Sequence, residues 1–289
     1  MRNSLDGISR ILCQTMDAAR LVSIDPAVHE KLLRDALGWA KEYDLNQSPP
    51  AMAQRLHRHL REGSGFDDPE IKNQQNFMAL KMINSLRSII ESSGDPLLLA
   101  TRLAIAGNVI DMGANGNLTK TDIIQAINQA LNKPLIGEFD EFRKAIAKAH
   151  SILYLADNAS EIAFDRLLIE RLLPKRVTLA VRGAPVSNDA TFADAQAVWL
   201  EKIVEVIDNG SNAPGTILSD CNPEFRRRFI SADLIIAKGQ GNFETLSNES
   251  ENIFFLFKVK CPLVLDLVNQ PIHTQILIQP RSVKNEPTN

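Results

Sequence analysis

Beyond residue 150 the chain carries short, continuously apolar runs separated by helical patterns, and this narrows its folding options more than any other feature. The runs are Ile152–Ala156, Val177–Val181, Ile203–Ile207, Leu234–Ala237, Ile253–Phe257 and Leu263–Leu267. Between them lie helical stretches such as Glu161–Leu173, Ala190–Leu200 and Glu224–Ile230. A strand with one wet face alternates apolar and polar residues, whereas an unbroken apolar strand is buried on both faces. Such strands alternating with helices predict a mostly parallel sheet covered on both sides, an α/β fold.

The first half reads differently. Apolar residues recur at helical spacing over Ile8–Val22, Val28–Tyr43, Met52–Arg61, Pro69–Ser92 and Leu97–Ala106. Asp25-Pro26, Ser48-Pro49-Pro50 and Gly94-Asp95-Pro96 punctuate them. No strand-like alternation occurs in the first hundred residues. The expected organisation is an all-helical domain or cap over 1–148 and an α/β domain over 149–289.

Charge and cysteine usage exclude several functions. Thirty-two basic against 35 acidic residues give a net charge of −3, no surplus for a phosphate backbone, so no nucleic-acid partner is expected. No apolar run approaches the roughly 20 residues of a membrane span. The opening MRNSLDGISRILCQTMD carries acids and no continuous apolar segment, so no secretory signal is expected and the location is read as cytoplasmic. Cys13, Cys221 and Cys261 are isolated, with no C-x-x-C pair, so a metal site here would be oxygen-rich. Oligomeric state is not legible.

In a parallel sheet ligands bind beyond the carboxyl ends of the strands. Three strand ends carry polar clusters: Asp157-Asn158-Ala-Ser-Glu161, Arg182-Gly-Ala-Pro-Val-Ser-Asn188-Asp189, and Lys238-Gly239-Gln-Gly241-Asn242-Phe-Glu244. Singly, each reads as an ordinary turn or helix cap. Together at one rim, their carboxylate and amide oxygens can converge on a hard divalent cation. Arg182 and Lys238 supply the charge a phosphoryl group wants, and the glycines let backbone N–H groups approach an anion. A fourth cluster, Gly107-Asn108-Val-Ile-Asp111-Met-Gly113, reads equally as a helix end or as a wall of the same cleft. His57 and His59, two apart on a helix, read as a solvated face with Arg55, Arg58 and Arg61. No Walker A loop, no G-x-G-x-x-G after the first strand of the sheet and no G-x-S-x-G elbow is present.

These residues resemble, over roughly Gln14 to Pro271, the ARMT-like damage-control phosphatases, also catalogued as domain of unknown function eighty-nine. The matching pieces, in order, are Ala19-Arg-Leu-Val22, Arg55-Leu-His57-Arg58, Asp68-Pro69 with Lys72 and Asn76, and Gly107–Gly113. Asp157-Asn158-x-x-Glu161 with Phe164-Asp165, Arg182-Gly-x-Pro-x-x-Asn188-Asp189-Ala190-Thr191 and Lys238-Gly-x-x-Asn242-x-Glu244 follow. The last form is similar to the short microbial branch. The resemblance implies a helical N-terminal part on a Rossmann-like three-layer α/β/α core. It implies a metal held by Asp157, Asn158 and Asp189, a phosphate contact at Lys238, and hydrolysis of small phosphorylated metabolites with Mg²⁺, Mn²⁺, Co²⁺ or Ni²⁺. Many short members open with a C-x-x-C pair where this chain has Gly7 and Arg10.

On that basis the expected roles are as follows. Asp157, Asn158 and Asp189 bind one cation, which polarises a phosphoryl oxygen. Arg182 and Lys238 neutralise charge on the equatorial oxygens. Asn108, Asn188, Lys238, Asn242 and Glu244 place the substrate, and Asp111 or Glu161 is the general base. Asp157 as a covalent nucleophile is the weaker option. The alternatives are an S-adenosylmethionine-dependent carboxyl methyltransferase and a non-catalytic phosphometabolite-binding protein.

Overall fold

The computed structural model describes residues 5–22, 24–41, 44, 47–64, 69–107, 128, 132–159, 161–249, 252–260 and 262–280. Its strands are β1 (Leu135–Gly137), β2 (Ser151–Leu155), β3 (Arg176–Val181), β4 (Glu205–Asp208), β5 (Leu234–Lys238), β6 (Ile253–Lys258) and β7 (Gln275–Ile278). They form one sheet in the order β1-β7-β6-β5-β2-β3-β4. Neighbours run parallel except β6 and β7, which are antiparallel.

Alternate strand residues divide between two cores. Ile152, Tyr154, Leu179, Ile236 and Phe254 pack toward helices Pro69–Glu91, Pro96–Ala106 and Ile162–Leu172. Leu153, Leu155, Ile235 and Phe255 pack toward helices Pro223–Ser231 and Gly239–Leu246. Burial on both faces is the reason these strands read as unbroken apolar runs. The three-layer α/β/α arrangement follows.

Local signals place the helix starts. Asp95 accepts a hydrogen bond from Leu98 N ahead of Pro96, and Asn222 accepts from Phe225 N ahead of Pro223. Thr191 and Asp194 form a capping box. Ala19, Leu32, Met52 and Leu56, from helices Leu5–Val22, Pro26–Lys41 and Pro49–Ser64, make a separate small core. Helices Pro69–Glu91 and Pro96–Ala106 instead share the core of the sheet, which also draws β1 from the chain before residue 149.

One expected strand is corrected. Leu263–Leu267 lies in helix Pro262–Val268, and the strand beside β6 is Gln275–Ile278. A five-residue apolar run satisfies either period, and Pro262 at the first position favours the helix.

The order of the sheet locates the crevice. From β2 the chain steps outward to β3 and β4, then returns to β5 on the other side and moves on to β6. The carboxyl ends of β2 and β5 therefore flank a topological switch point, where ligands bind in open α/β sheets. Helix Pro49–Ser64 packs against helix Gly239–Leu246 beside this edge. Among the described residues no helix is long and apolar enough to cross a membrane.

Candidate active site

Asp157 and Asn158 follow β2 after the single residue Ala156, and Asp189 lies in the loop after β3. The backbone knits these segments together: Ala190 N donates to Asp157 O at 2.7 Å and Ala159 N donates to Asn188 O at 2.8 Å. Asn158 and Asp189 form an isolated antiparallel bridge. The result is a cavity of about 270 Å³. Asp157, Asn158, Asn188, Asp189 and Glu244 line it from the sheet side, and Pro50, Ala53 and His57 from helix Pro49–Ser64.

The two aspartates are buried side by side. Arg182 Nε donates to Asp189 Oδ2 at 2.6 Å, and Lys72 Nζ donates to the Asp189 carbonyl at 3.0 Å. Even so, burial pushes the Asp189 carboxyl up to about 7, against the pull of Arg182 and with the like charge of Asp157 adding to the rise. Gly239, at φ +79°, makes room for Asp157: a Cβ there would lie 2.0 Å from Oδ2. Asn158 Nδ2 donates to Asp157 Oδ2 at 3.2 Å and to Glu161 Oε2 at 3.4 Å, which turns the amide carbonyl away from both.

Two crowded carboxylates and an amide oxygen fit a hard cation, whose charge offsets their repulsion. Among the described residues no group of three or more His, Cys, Asp or Glu side chains is placed to hold a metal. Asp157, Asn158 and Asp189 are the residues that would hold such an ion.

Behind Asn158 lies a second layer. The Lys238 ammonium is fully buried, donates to Ala104 O at 2.8 Å and Asp165 Oδ1 at 2.7 Å, and pairs with Glu161 Oε1. Tyr154 OH donates to the same Asp165 oxygen at 2.8 Å. Burial pushes Glu161 up to about 8, with Lys238 opposing and Asp165 and Asp157 adding. Burial likewise raises Asp165. The two carboxylates hold the ammonium above the usual lysine range despite its burial.

Three residues expected to meet the substrate stand as follows. Lys238 does not line the cavity, because its ammonium is consumed by Glu161 and Asp165; its influence passes through Glu161 to Asn158. Asn242 is fully buried and clamps strand ends, donating to Ala156 O at 3.2 Å and Lys238 O at 2.7 Å while accepting from Thr216 Oγ1 at 2.8 Å. Arg182 donates from Nε to Asp189 and from Nη1, at 3.3 Å, to Thr216, while its buried Nη2 has no hydrogen-bond partner among the described residues. Asn188 and Glu244 do face the cavity, and Gln240 Nε2 steadies Glu244 at 2.6 Å. Glu161 points to Lys238 and Asn158 instead. Asn108 and Asp111 lie outside the described residues.

His57, Lys72 and Asp165 figure in the sequence analysis only as pieces of the resemblance and, for His57, of a solvated face, with no role in the site. Asp165 had a signal: with Glu161, Leu168 and Leu172 it falls on one buried helix stripe, where an acid needs a partner. His57 shares a stripe with Pro50 and Ala53, but its arginine neighbours made the helix read as solvated. Lys72 had no local signal.

The chain matches the model of the damage-control phosphatase ARMT1-like domain over residues 6–276. It is 36% identical over 271 residues to a damage-control phosphatase of Pyrococcus horikoshii, covering 91% of this chain and 90% of that protein. To a damage-control phosphatase of Archaeoglobus fulgidus it is 33% identical over 258 residues, covering 86% and 89%. A crystal structure of a DUF89 family protein from Pyrococcus horikoshii superposes with a TM-score of 0.87 at 32% identity, covering 97% of this chain and 99% of that one.

Proposed function

Because this chain belongs to the damage-control phosphatase ARMT1-like family, we propose that it hydrolyses phosphate monoesters of small metabolites, sugar phosphates or damaged phosphometabolites, with one divalent cation held by Asp157, Asn158 and Asp189. The observation that carries this reading is the burial of two carboxylates from different strand ends against one amide in one cavity. The bound ion would polarise a phosphoryl oxygen and acidify water.

The remaining work falls to the chain itself. Arg182 and Lys72 hold the Asp189 segment in place from the side chain and the backbone respectively. Lys238 pairs with Glu161, and Glu161 accepts from the Asn158 amide, so this chain of contacts would fix the orientation in which Asn158 meets the ion. Glu244 and Asn188 face the cavity and accept or donate hydrogen bonds to the substrate and to the attacking water. Preorganised groups of this kind need no reorganisation as charge develops.

The test is a phosphate-release screen over a metabolite panel with Mg²⁺, Mn²⁺, Co²⁺ and Ni²⁺. Turnover that needs an added ion, stops with chelator and disappears in Asp157→Ala and Asp189→Ala is the expected result. Full activity in chelator, or in either variant, removes the reading.

A further inference from the structure

We propose that His57 contacts the leaving-group end of the phosphate ester and sets which esters the cavity accepts; this inference rests on the phosphatase reading above. Pro50, Ala53 and His57 are three and four residues apart on helix Pro49–Ser64, so they share one face, and that face lines the cavity. Proline and alanine side chains make no hydrogen bonds. His57 is therefore the one side chain of this stripe that can address a substrate hydroxyl, as donor from one ring nitrogen or acceptor at the other.

The helix is fastened in a way that fixes where the imidazole stands. Gln54 Nε2 donates to Asn212 Oδ1 at 2.8 Å and Asp220 Oδ2 at 2.7 Å. Arg58 Nε donates to the same Asn212 oxygen at 2.9 Å, and Ser211 Oγ donates to Asp220 Oδ2 at 2.6 Å. Gln54 and Arg58 flank the lining stripe, and their partners lie in the segment after β4, at the carboxyl edge that also carries Asp157 and Asp189. A group held on an anchored helix is placed more firmly than one on a loop.

The direction of the substrate follows. Its phosphoryl end belongs with Asp157, Asn158 and Asp189 on the sheet side. What remains of the ester must cross a space of about 270 Å³, and the wall supplied by the helix is Pro50, Ala53 and His57.

The experiment compares wild type, His57→Ala and His57→Gln on the best alkyl phosphate from the screen and on p-nitrophenyl phosphate, with inhibition by inorganic phosphate and calorimetric Mn²⁺ affinity measured alongside. Loss of about one buried hydrogen bond predicts roughly a tenfold fall in kcat/KM for the alkyl ester in His57→Ala, mostly in KM, and a several-fold smaller fall for the aryl ester. His57→Gln recovers much of the loss, and phosphate inhibition and Mn²⁺ affinity stay within about twofold. Equal falls on both esters, no fall on either, or phosphate inhibition weakened as much as ester turnover would each overturn the assignment. Where the alanine chain does not fold, His57→Phe, which keeps the volume, carries the same expectation. Absence of metal-dependent turnover in the wild type removes the phosphatase reading instead, so the two failures are told apart.

Discussion

Gly239 stands against Asp157 so closely that a methyl group on its α-carbon would lie 2.0 Å from Oδ2 and 2.1 Å from the carboxyl carbon, at a φ of +79° that L side chains rarely adopt. The glycine at the end of β5 thus creates the space in which the carboxylate at the end of β2 rests. Gly239→Ala should cost about 1–3 kcal/mol in backbone strain and displace Asp157 as well. Denaturant unfolding reads the first effect and phosphate release the second, with at least a tenfold fall expected. Unchanged activity would mean that the position of Asp157 does not matter.

Metal removal should separate stability from function at the aspartates. In the ion-free protein, Asp157 and Asp189 repel each other, so Asp157→Asn should unfold at the same temperature as wild type or higher. Mn²⁺ at a hundred times its dissociation constant should stabilise the wild type by about 2.7 kcal/mol and the variant not at all. Thermal scans with and without chelator check this.

Lys238 should be costly to remove because two buried acids depend on it. Lys238→Met leaves Glu161 and Asp165 without their counter-charge and should destabilise by about 3–5 kcal/mol. Adding Glu161→Gln and Asp165→Asn should restore much of that stability. A triple variant as unstable as the single one would show that packing, not charge, sets the effect.

Asp220 anchors the helix that carries His57, accepting from Gln54, Arg58 and Ser211. Asp220→Ala removes one of the two acceptors of the buried Gln54 amide, together with the acceptor of Ser211, and should lower stability by about 1–3 kcal/mol. Its kinetic signature should be a raised KM with kcat largely kept. A fall confined to kcat would contradict the role of this helix as a substrate wall.

A pH test lies outside the site. Burial alone would raise the Glu170 carboxyl, but hydrogen bonds from Arg87 and Arg166 hold it below the usual glutamate range. A depressed folded value contributes stability above the unfolded value, near pH 4.3, and loses it as pH falls through the folded one. The midpoint of Glu170→Gln should therefore lie below wild type from pH 6 to 8, and the gap should close as the solution is acidified below about pH 4. A gap that stays constant to pH 3 would show that the carboxylate charge is not involved.

Much of this was legible without coordinates. Runs such as Ile152–Ala156 and Leu234–Ala237 admit no polar residue because both faces are buried, and that alone put Asp157, Arg182 and Lys238 at the carboxyl ends of neighbouring strands. Asp95 and Asn222 marked helix starts through their own side chains. The miss at Leu263–Leu267 came from a run too short to reveal its period.

Which rim residues meet the cavity was decided elsewhere. Lys238 has no near neighbour in sequence that could claim its ammonium; Glu161 and Asp165 do so from 77 and 73 residues away. Asn242 is spent on strand ends, and His57 arrives on a helix fastened to residues more than 150 positions later. Period is a local property, so the residue pattern determined strands, helices and the edge where chemistry belongs. A buried charge must find its partner wherever the fold brings one, so only the tertiary structure could divide these polar groups between cavity wall and scaffold.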